Sequence, residues 1–358
     1  MRSFRVELGP SAYPVHVGAG VLDHLGELAI TAGLSGGSSA VVTDHNVAKL
    51  YLDRARASLK SAGFAPIEIE LPAGESSKSP ATLEQVYDRM VEARLNRKSV
   101  VFALGGGVVG DLAGFAAATF LRGLPLVQVP TTVVAQVDSA LGGKTGINHR
   151  AGKNLIGAFY QPRMIVADVA TLSSLPEREF REGLAEVIKY GAIMDAPMFA
   201  ELERDMRAIL ARDNSCLDEM VLRSLRHKAS VVERDERESG LRAILNFGHT
   251  VGHALEASAG YGEYLHGEAV AIGMVIAARL SSLHAGLPRA DAERIEALLR
   301  AANLPTAMPQ GARNQSFVQA LELDKKRAGG GIEFVLLDRL GHALTRRLGL
   351  EEIMAGFA

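Results

Sequence analysis

The sequence has a single cysteine, Cys216, and no tryptophan. One cysteine cannot form a disulfide within the chain, and a chain of 358 residues buries enough surface to fold without such a cross-link. Cysteine usage of this kind is typical of proteins in a reducing compartment. We therefore predict a cytoplasmic protein in which Cys216 has no catalytic role.

Two further features are missing, a charge imbalance and a long apolar run. The 39 Lys and Arg residues nearly balance the 41 Asp and Glu residues, and a net charge of −2 argues against a general nucleic-acid or polybasic membrane binder. The apolar run at 269–278 is about ten residues long, whereas roughly 18 are needed to cross a bilayer. The start of the chain lacks the apolar core of a secretory signal. We expect neither a nucleic-acid nor a membrane partner.

What the sequence does have is a change of pattern along its length. At roughly 100–200 residues per domain, the length predicts two domains. Up to residue 174, helical stretches alternate with β-branched runs, which predicts βαβ units around a mostly parallel sheet. The predicted strands lie at 40–43, 67–71, 100–104, 126–129 and 164–169.

The second half of the chain is helix-periodic, apart from a short extended patch at 332–337. A helix is predicted to begin at Glu177, directly after Pro176. We therefore predict an α/β N-terminal domain with a nucleotide-binding sheet, residues 1–174, and an all-α C-terminal domain that binds metal and substrate, residues 175–358.

The 37 glycines are clustered, and one cluster follows a predicted strand. The letters GGGVVGD at 105–111 separate the strand at 100–104 from an alanine-rich helical stretch. Such a turn is an anion site, because backbone N–H groups and the positive helix end converge on a phosphate. The acid that usually follows about 20 residues later is missing, and Asp44 is the alternative ribose ligand. Two interpretations of these glycines remain open: they form a dinucleotide site, or they only permit a tight turn between the strand and the helix.

A second glycine cluster, at 142–157, carries Lys144 and Lys153. The apolar residues of this stretch show neither the helical nor the strand period, so we expect a long ordered loop. Loops of that length are usually functional. Lysines on glycine-flanked backbone are suited to phosphate or carboxylate oxygens. The alternative is that both lysines are simply solvated.

A stripe of polar residues is the sharpest chemical signal. Arg242, Asn246, His249, His253 and Glu256 are spaced by four, three, four and three residues, so on one helix they would share one face. Histidines at i and i+4 are a common metal-ligand pair. The residue after His249 is Thr250 and not the Glu of the zinc-protease motif, which argues against peptide hydrolysis by that motif.

More potential ligands lie on other predicted helices. His266 begins the helix after the stripe, and Glu182, Glu186 and Lys189 follow the domain boundary. Three ligands drawn from His249, His253, His266 and a Glu would leave an open position on zinc for a substrate. The alternative is a hydrogen-bonded polar face between helices. The acidic residues Asp235, Glu236 and Glu238 are interpreted as solvated surface.

Seven motifs occur in a specific order: LGGGVVGD, VPTT, GGKTGIN, GKNLIGAFYQP, GLAEVIKYG, LNFGHTVGHALE and LHGEAVAIGM. The ordered set resembles the 3-dehydroquinate synthase family of sugar phosphate cyclases, over residues from about 40 to about 340. The resemblance implies a transient oxidation by NAD of 3-deoxy-D-arabino-heptulosonate 7-phosphate, followed by β-elimination of phosphate, reduction, ring opening and aldol closure to 3-dehydroquinate.

The resemblance also implies the site residues. The metal, zinc or alternatively cobalt, would be held by Glu186, His249 and His266. The catalytic residues would be Lys144, Lys189, Lys228, Arg242, Asn246 and His253. Further substrate contacts would come from Arg122, Asp138, Asn154, Lys325 and Lys326. NAD would contact Asp44, Gly74, Glu75, Lys78, Gly106, Gly107, Val108, Val109, Gly110, Asp111, Thr131, Thr132, Lys144, Lys153, Thr171, Ser174 and Leu175.

The resemblance has two further implications. It separates the histidine pair, because His249 would bind metal and His253 would serve the phosphate end of the substrate. Arg122 would reach the site of a neighbouring subunit, which implies a homodimer. The departures are Ser174 and Glu182, at positions where the family often has Thr and a small residue. The rival interpretations are an aminocyclitol-forming sugar phosphate cyclase and a metal-dependent polyol dehydrogenase.

Overall fold

The structure is a computed structural model, and it describes residues 1–238, 240–259, 263–328 and 331–357. The side chains of 322–328, and with them those of Lys325 and Lys326, lie outside the described part. The chain forms two compact units. The first comprises Met1–Leu175 and Leu217–Glu233, and the second comprises Pro176–Cys216 and Arg234–Ala358. The segment Leu217–Glu233 lies in the sequence range assigned above to the second domain.

The strands of the described residues are β1 Arg2–Val6, β2 Tyr13–Val17, β3 Gly37–Asp44, β4 Phe64–Leu71, β5 Val100–Gly105, β6 Leu126–Pro130, β7 Lys144–His149, β8 Gly152–Phe159, β9 Met164–Ala167, β10 Ile332–Arg339 and β11 His342–Leu348. The α-helices are α1 Leu25–Thr31, α2 His45–Val47, α3 Asp53–Ser61, α4 Pro80–Glu92, α5 Gly107–Thr119, α6 Glu177–Met194, α7 Ala196–Leu210, α8 Asn214–Val232, α9 His249–Ala259, α10 His266–His284, α11 Arg289–Ala301, α12 Gln315–Ala328 and α13 Leu350–Ala355.

A seven-stranded sheet in the order β1-β2-β9-β6-β5-β3-β4 forms the core of the first unit. β1 pairs with β2 in antiparallel fashion, and every other pair in this sheet is parallel. All six residues of β5 are buried, as expected for a central parallel strand covered on both faces. The mostly parallel sheet and all five predicted strands are confirmed. Sequence reasoning missed β1 and β2. Tyr13, Val15 and Val17 alternate with less buried residues, but Pro14 lies within this run, and a proline argues against a strand.

The second unit is mainly helical, which confirms the predicted helical C-terminal region. It also contains the antiparallel hairpin β10–β11, so it is not entirely α-helical, and the extended patch at 332–337 is its first strand. The apolar run at 269–278 is the buried centre of α10. Among the described residues, no helix combines the length and hydrophobicity that a membrane span requires.

The prediction of a long loop at 142–157 is wrong, because most of that stretch forms the hairpin β7–β8. Gly146 and Gly157 face each other across the hairpin, and a Cβ on Gly157 would lie 2.2 Å from the Thr145 carbonyl oxygen. Glycine at these positions permits the close pairing and also hides the alternation that would have predicted strands.

The single helix predicted for the polar stripe is also wrong. Leu241–Asn246 forms a short 3-10 segment, and α9 begins only at His249. Gly248 between them has φ +82°, and a Cβ there would lie 2.8 Å from the Met274 backbone nitrogen. The chain therefore turns at Gly248, and only His249, His253 and Glu256 share a helix.

Candidate active site

The glycine turn at the end of β5 leads directly into α5. Gly106 is the N-cap of α5, and the helix begins at Gly107. A Cβ on Gly106 would lie 3.0 Å from Thr132 Cγ2, and one on Gly107 would lie 3.1 Å from Ser139 Oγ. Neither glycine has a positive φ, so they serve close approach and not a left-handed turn. Because the first N–H groups of a helix have no partner within it, the bare backbone here fits a pyrophosphate.

A network around Lys78 joins several predicted cofactor and substrate residues. The buried Lys78 Nζ donates to Asp111 Oδ2 at 2.7 Å and also to Asn154 Oδ1. Asn148 donates from Nδ2 to Glu75 Oε1 at 2.7 Å and from its backbone to the Lys78 carbonyl at 2.8 Å. Burial raises the pKa of Asp111, and the Lys78 charge opposes that shift. The hairpin β7–β8 is thereby tied to the start of α5.

The turn Val169–Ser174 is held by buried hydrogen bonds. Tyr51 Oη donates to the Thr171 carbonyl at 3.0 Å and pairs with Ser174 Oγ at 2.5 Å. The fully buried Gln136 donates to Thr171 Oγ1 at 3.1 Å and to the Asp168 carbonyl at 2.9 Å. Sequence reasoning did not find Tyr51 or Gln136, because neither belongs to a recognisable motif.

Asp44, the predicted ribose ligand, lies at the end of β3 and caps α2. Its Oδ1 accepts from the backbone of Asn46 at 2.9 Å and of Val47 at 3.1 Å. Asp44 and the glycine turn follow β3 and β5, two neighbouring parallel strands. They therefore lie at the same carboxyl edge of the sheet, where ligands of open α/β sheets bind.

Lys228 contacts Asp138 within the first unit. Its Nζ donates to the Asp138 carbonyl at 2.8 Å and lies 3.0 Å from Oδ1 of the same residue. Lys228 is 5% exposed and lies on α8, within the segment Leu217–Glu233 that belongs to this unit. Lys228 and Asp138, two residues predicted to contact the substrate, are therefore paired with each other.

In the second unit, Glu186 on α6 meets the histidines of α9 and α10. Glu186 Oε1 lies 3.5 Å from His249 Nε2 and 3.5 Å from His266 Nε2. Tetrahedral zinc with bonds of about 2.0–2.1 Å separates its ligand atoms by about 3.3–3.4 Å. Glu186 Oε1 therefore lies from each imidazole at nearly the distance that separates two ligands of one zinc ion, and a carboxylate with two imidazoles is a suitable donor set.

His253 lies close to both of these histidines. Its ring centroid is 5.3 Å from that of His249 and 5.8 Å from that of His266. One ligand atom from each of the three rings can be chosen so that all lie within 4.8 Å of one another. Four potential ligands thus lie close together. The three histidines form one candidate set, and Glu186, which lies 3.5 Å from His249 and from His266, forms the other with these two.

The protonation states of this cluster differ sharply from one residue to the next. Burial and the Lys189 charge lower the pKa of His249 to about 3, so its imidazole is neutral at pH 7. Burial alone would lower the pKa of His266, but hydrogen bonds to Glu186 and Glu256 raise it to about 10. Burial likewise opposes ionisation of Glu186, yet Lys189, which forms an ion pair with its Oε2, and the histidines bring the pKa well below its usual range.

Arg242 is buried, and its environment corrects one sequence interpretation. Its backbone N–H donates to Asp235 Oδ2 at 2.9 Å, and its Nη1 donates to the Glu236 carbonyl at 2.8 Å. Asp235 is only 6% exposed, so the interpretation of this residue as solvated surface is wrong. Asp235 instead shapes the segment that carries Arg242.

The other predicted catalytic and substrate residues have more open positions. Of all the predicted catalytic and substrate residues with described side chains, the exposed ones are Arg122, Lys144, Asn154, Asn246 and His253. Lys144 and Lys228 belong to the first unit, whereas Lys189 and Arg242 belong to the second. The predicted contacts of Lys325 and Lys326 fall outside the described side chains.

Comparisons with known proteins agree with this chemistry. The family descriptions "3-dehydroquinate synthase N-terminal" and "3-dehydroquinate synthase C-terminal" match residues 68–182 and 183–327. A 3-dehydroquinate synthase from Geobacter metallireducens is 51% identical over 99% of this chain and 98% of its own length.

Two solved structures share the fold over nearly the whole chain. A 2-epi-5-epi-valiolone synthase from Streptomyces hygroscopicus, with NAD+ and Zn2+ bound, has a TM-score of 0.87 and 29% identity over 96% of this chain and 95% of its own. A 2-deoxy-scyllo-inosose synthase, in complex with carbaglucose-6-phosphate, NAD+ and Co2+, has a TM-score of 0.89 and 26% identity over 99% of each chain.

Proposed function

Because the chain belongs to the 3-dehydroquinate synthase family, we propose that it converts 3-deoxy-D-arabino-heptulosonate 7-phosphate to 3-dehydroquinate and phosphate, a step of aromatic amino acid biosynthesis. The identity of 51% over nearly the full length of a 3-dehydroquinate synthase is the observation that carries this proposal. The two sugar phosphate cyclases with other products are only 29% and 26% identical.

The cofactors are NAD and a divalent metal, zinc or alternatively cobalt. When bound, NAD accepts and returns a hydride at C5 of the substrate, and the metal stabilises negative charge on the neighbouring oxygens. Gly106, Gly107 and Asp44 bind the dinucleotide at the sheet edge. Glu186 and His249 hold the metal together with His266.

The residues of this chain prepare the site in defined protonation states. The His249 imidazole is neutral because burial and the Lys189 charge lower its pKa to about 3. Its Nδ1 faces the Phe247 carbonyl at 3.2 Å, which leaves the Nε2 lone pair for the metal. Glu186 is ionised beside Lys189, so a carboxylate ligand is ready without a proton to lose. Lys228, oriented by Asp138, supplies a fixed positive charge for a substrate that carries a carboxylate and a phosphate.

An assay that follows phosphate release and NADH together tests the activity. Purified protein with NAD and zinc is given 3-deoxy-D-arabino-heptulosonate 7-phosphate, while phosphate and NADH absorbance are followed together. We expect phosphate release with no net NADH, because the hydride is returned in each turnover. Accumulation of NADH would instead indicate a polyol dehydrogenase. Phosphate release only from a different sugar phosphate would indicate an aminocyclitol-forming cyclase.

Substitution of the ligands tests which three residues hold the metal. We expect Glu186→Ala to lose bound zinc, whereas His253→Ala retains one zinc per chain and loses turnover. The reverse pattern would assign the metal to the three histidines. Zinc content measured by mass spectrometry, after dialysis against a weak chelator, separates the two sets.

The assembly is a homodimer in which Arg122 acts in the partner's site. Leu155, Ile156 and Phe159 on β8 are 56%, 37% and 48% exposed, an apolar surface suited to a second copy of the chain. Leu121 and Arg122 have φ values of +51° and +68°, and such strain persists mainly where it serves a function. The single cysteine fits a cytoplasmic location.

Mixing two inactive variants tests this assembly. Arg122→Ala and His249→Ala chains are each expected to be inactive, and a mixture regains activity because one hybrid site is complete. Sedimentation velocity gives the oligomeric state directly. A monomeric protein, or a mixture that stays inactive although hybrid dimers form, would contradict the role of Arg122.

A further inference from the structure

His266 and His249 occupy very different environments. His249 is 9% exposed, and its Nδ1 faces the Phe247 carbonyl at 3.2 Å. The His266 side chain is 35% exposed, and His266 is the first residue of α10. His266 Nδ1 lies 3.3 Å from Oε2 of Glu256, a carboxylate on α9.

The packing of α9 against α10 places Glu256 beside His266. A Cβ on Gly252 would lie 3.1 Å from the Val270 nitrogen, and a Cβ on Gly273 would lie 2.0 Å from the Gly248 carbonyl oxygen. The two helices therefore approach backbone to backbone, which only glycine permits. The glycines of the histidine motif serve this contact.

Two carboxylates thus lie on the two sides of the His266 ring. Nδ1 faces Glu256, and Nε2 lies 3.5 Å from Glu186 Oε1. If the ring turned over, Nε2 would face Glu256 and would be lost to the metal. An imidazole at a helix N-terminus also experiences the positive end of the helix dipole, which weakens it as a donor to a cation, and a nearby carboxylate opposes that effect.

We infer that Glu256 is a positioning residue, which holds His266 with Nε2 toward Glu186 and strengthens it as a metal ligand. Nothing in the sequence motif separates Glu256 from the other polar residues of the stripe, and its role comes from the contact between α9 and α10. The inference rests on the proposed function, because it requires a metal at Glu186, His249 and His266.

Metal affinity and the cobalt spectrum of two variants test the inference. Removal of the carboxylate that orients a metal-ligating histidine costs about 10–100-fold in affinity. We expect that loss for Co2+ and Zn2+ in Glu256→Ala, measured by competition with a chromophoric chelator. Glu256→Gln keeps a neutral acceptor and falls between Glu256→Ala and the wild type. The visible absorption band of bound Co2+ should shift in both variants, which a general loss of stability would not produce.

Glu268→Gln is the matched control. Glu268 lies on the same turn as His266, but it forms an ion pair with Arg178 at 2.7 Å and accepts from the Leu265 backbone at 2.9 Å. This variant should keep the affinity and the cobalt spectrum of the wild type. Circular dichroism of the metal-free proteins should show the same fold in all variants.

Two results would overturn the inference and can be told apart. Wild-type affinity and an unchanged cobalt spectrum in Glu256→Ala would refute the role of Glu256 alone. A wild-type protein that binds neither Zn2+ nor Co2+ would refute the metal-dependent function together with this inference.

Discussion

The glycine turn of the first unit and the histidine cluster of the second unit are assembled from different parts of the chain. At the turn, neighbouring residues from Gly106 to Gly110 present backbone at the start of one helix. In the cluster, Glu186, His249 and His266 come from three helices and meet through side chains. A backbone site therefore depends on the absence of side chains, whereas a side-chain site depends on the packing of the helices that carry it.

Loss of one metal ligand should have the largest effect and should be confined to the cluster. We expect His249→Ala to lower turnover by about 10³-fold or more, because a metal contributes several kcal/mol to charge stabilisation and each 1.4 kcal/mol is a factor of ten. NAD binding, followed by fluorescence or calorimetry, should be unchanged. His24→Ala, an exposed histidine paired with Glu27, is the control and should retain full activity. A loss of NAD binding in His249→Ala would show that the two regions are not independent.

A side chain added to the glycine turn should weaken NAD binding and leave metal binding unchanged, the opposite of the result expected for His249→Ala. Gly106→Val places a branched side chain where even a Cβ would lie 3.0 Å from Thr132 Cγ2. We expect NAD to bind about 100-fold more weakly, since bulk at this position blocks the approach of a phosphate to the helix N-terminus. Zinc content should stay at one per chain. Tight NAD binding by Gly106→Val would mean that the turn is only a close helix–sheet contact.

A substitution of Lys78 tests whether side-chain contacts next to the glycine turn contribute to the stability of the protein. Lys78→Met leaves the partly buried Asp111 carboxylate without its ammonium partner, 2.7 Å away in the wild type. We expect the free energy of unfolding to fall by about 2–3 kcal/mol, because removal of one partner leaves an uncompensated charge. Urea denaturation measures the change. The double variant Lys78→Met/Asp111→Asn should recover part of it, and an equally unstable double variant would contradict the pairing.

The smallest expected effect, about tenfold for each pH unit, is the pH dependence of metal binding to the cluster. The pKa of His266 is raised to about 10 in the metal-free protein, so at pH 7 a metal must displace its proton, whereas His249, with a pKa of about 3, has none to lose. The apparent affinity should therefore rise about tenfold per pH unit from pH 7 until the pH approaches 10. The stabilisation that protonated His266 gives the metal-free protein is complete below pH 6.5 and is lost as the pH rises through 10.

Calorimetry in buffers with different ionisation enthalpies measures this proton release. About one proton per metal is expected at pH 7.5. NAD binding to the turn should show no comparable release. Metal binding without any proton release would contradict the protonated state of His266.

The accuracy of the sequence predictions differed between local and non-local features. The strand at 100–104, the helix start at Glu177 and the helix start at His266 were correct, because each depends on neighbouring residues. The single polar stripe was wrong, since Gly248 turns the chain between Asn246 and His249.

Side-chain environments were harder to predict than elements. The buried state of Asp235 and its bond to the Arg242 backbone follow from the fold of a segment without periodicity. The contact of Glu256 with His266 exists only because two helices pack closely at glycine residues. In the sequence, these glycines could equally well indicate turns.

Composition and local pattern alone were sufficient for the balanced charge, the alternating first half, the helical second half and the glycine turn at the end of β5. These properties depend on hydrogen bonds and sterics among residues close in the chain. The three-dimensional packing was needed to bring Glu186 within 3.5 Å of two imidazoles, to orient Lys228 against Asp138 and to place a carboxylate behind His266. Such contacts join residues distant in sequence, and their existence depends on how closely helices approach, which no local pattern encodes.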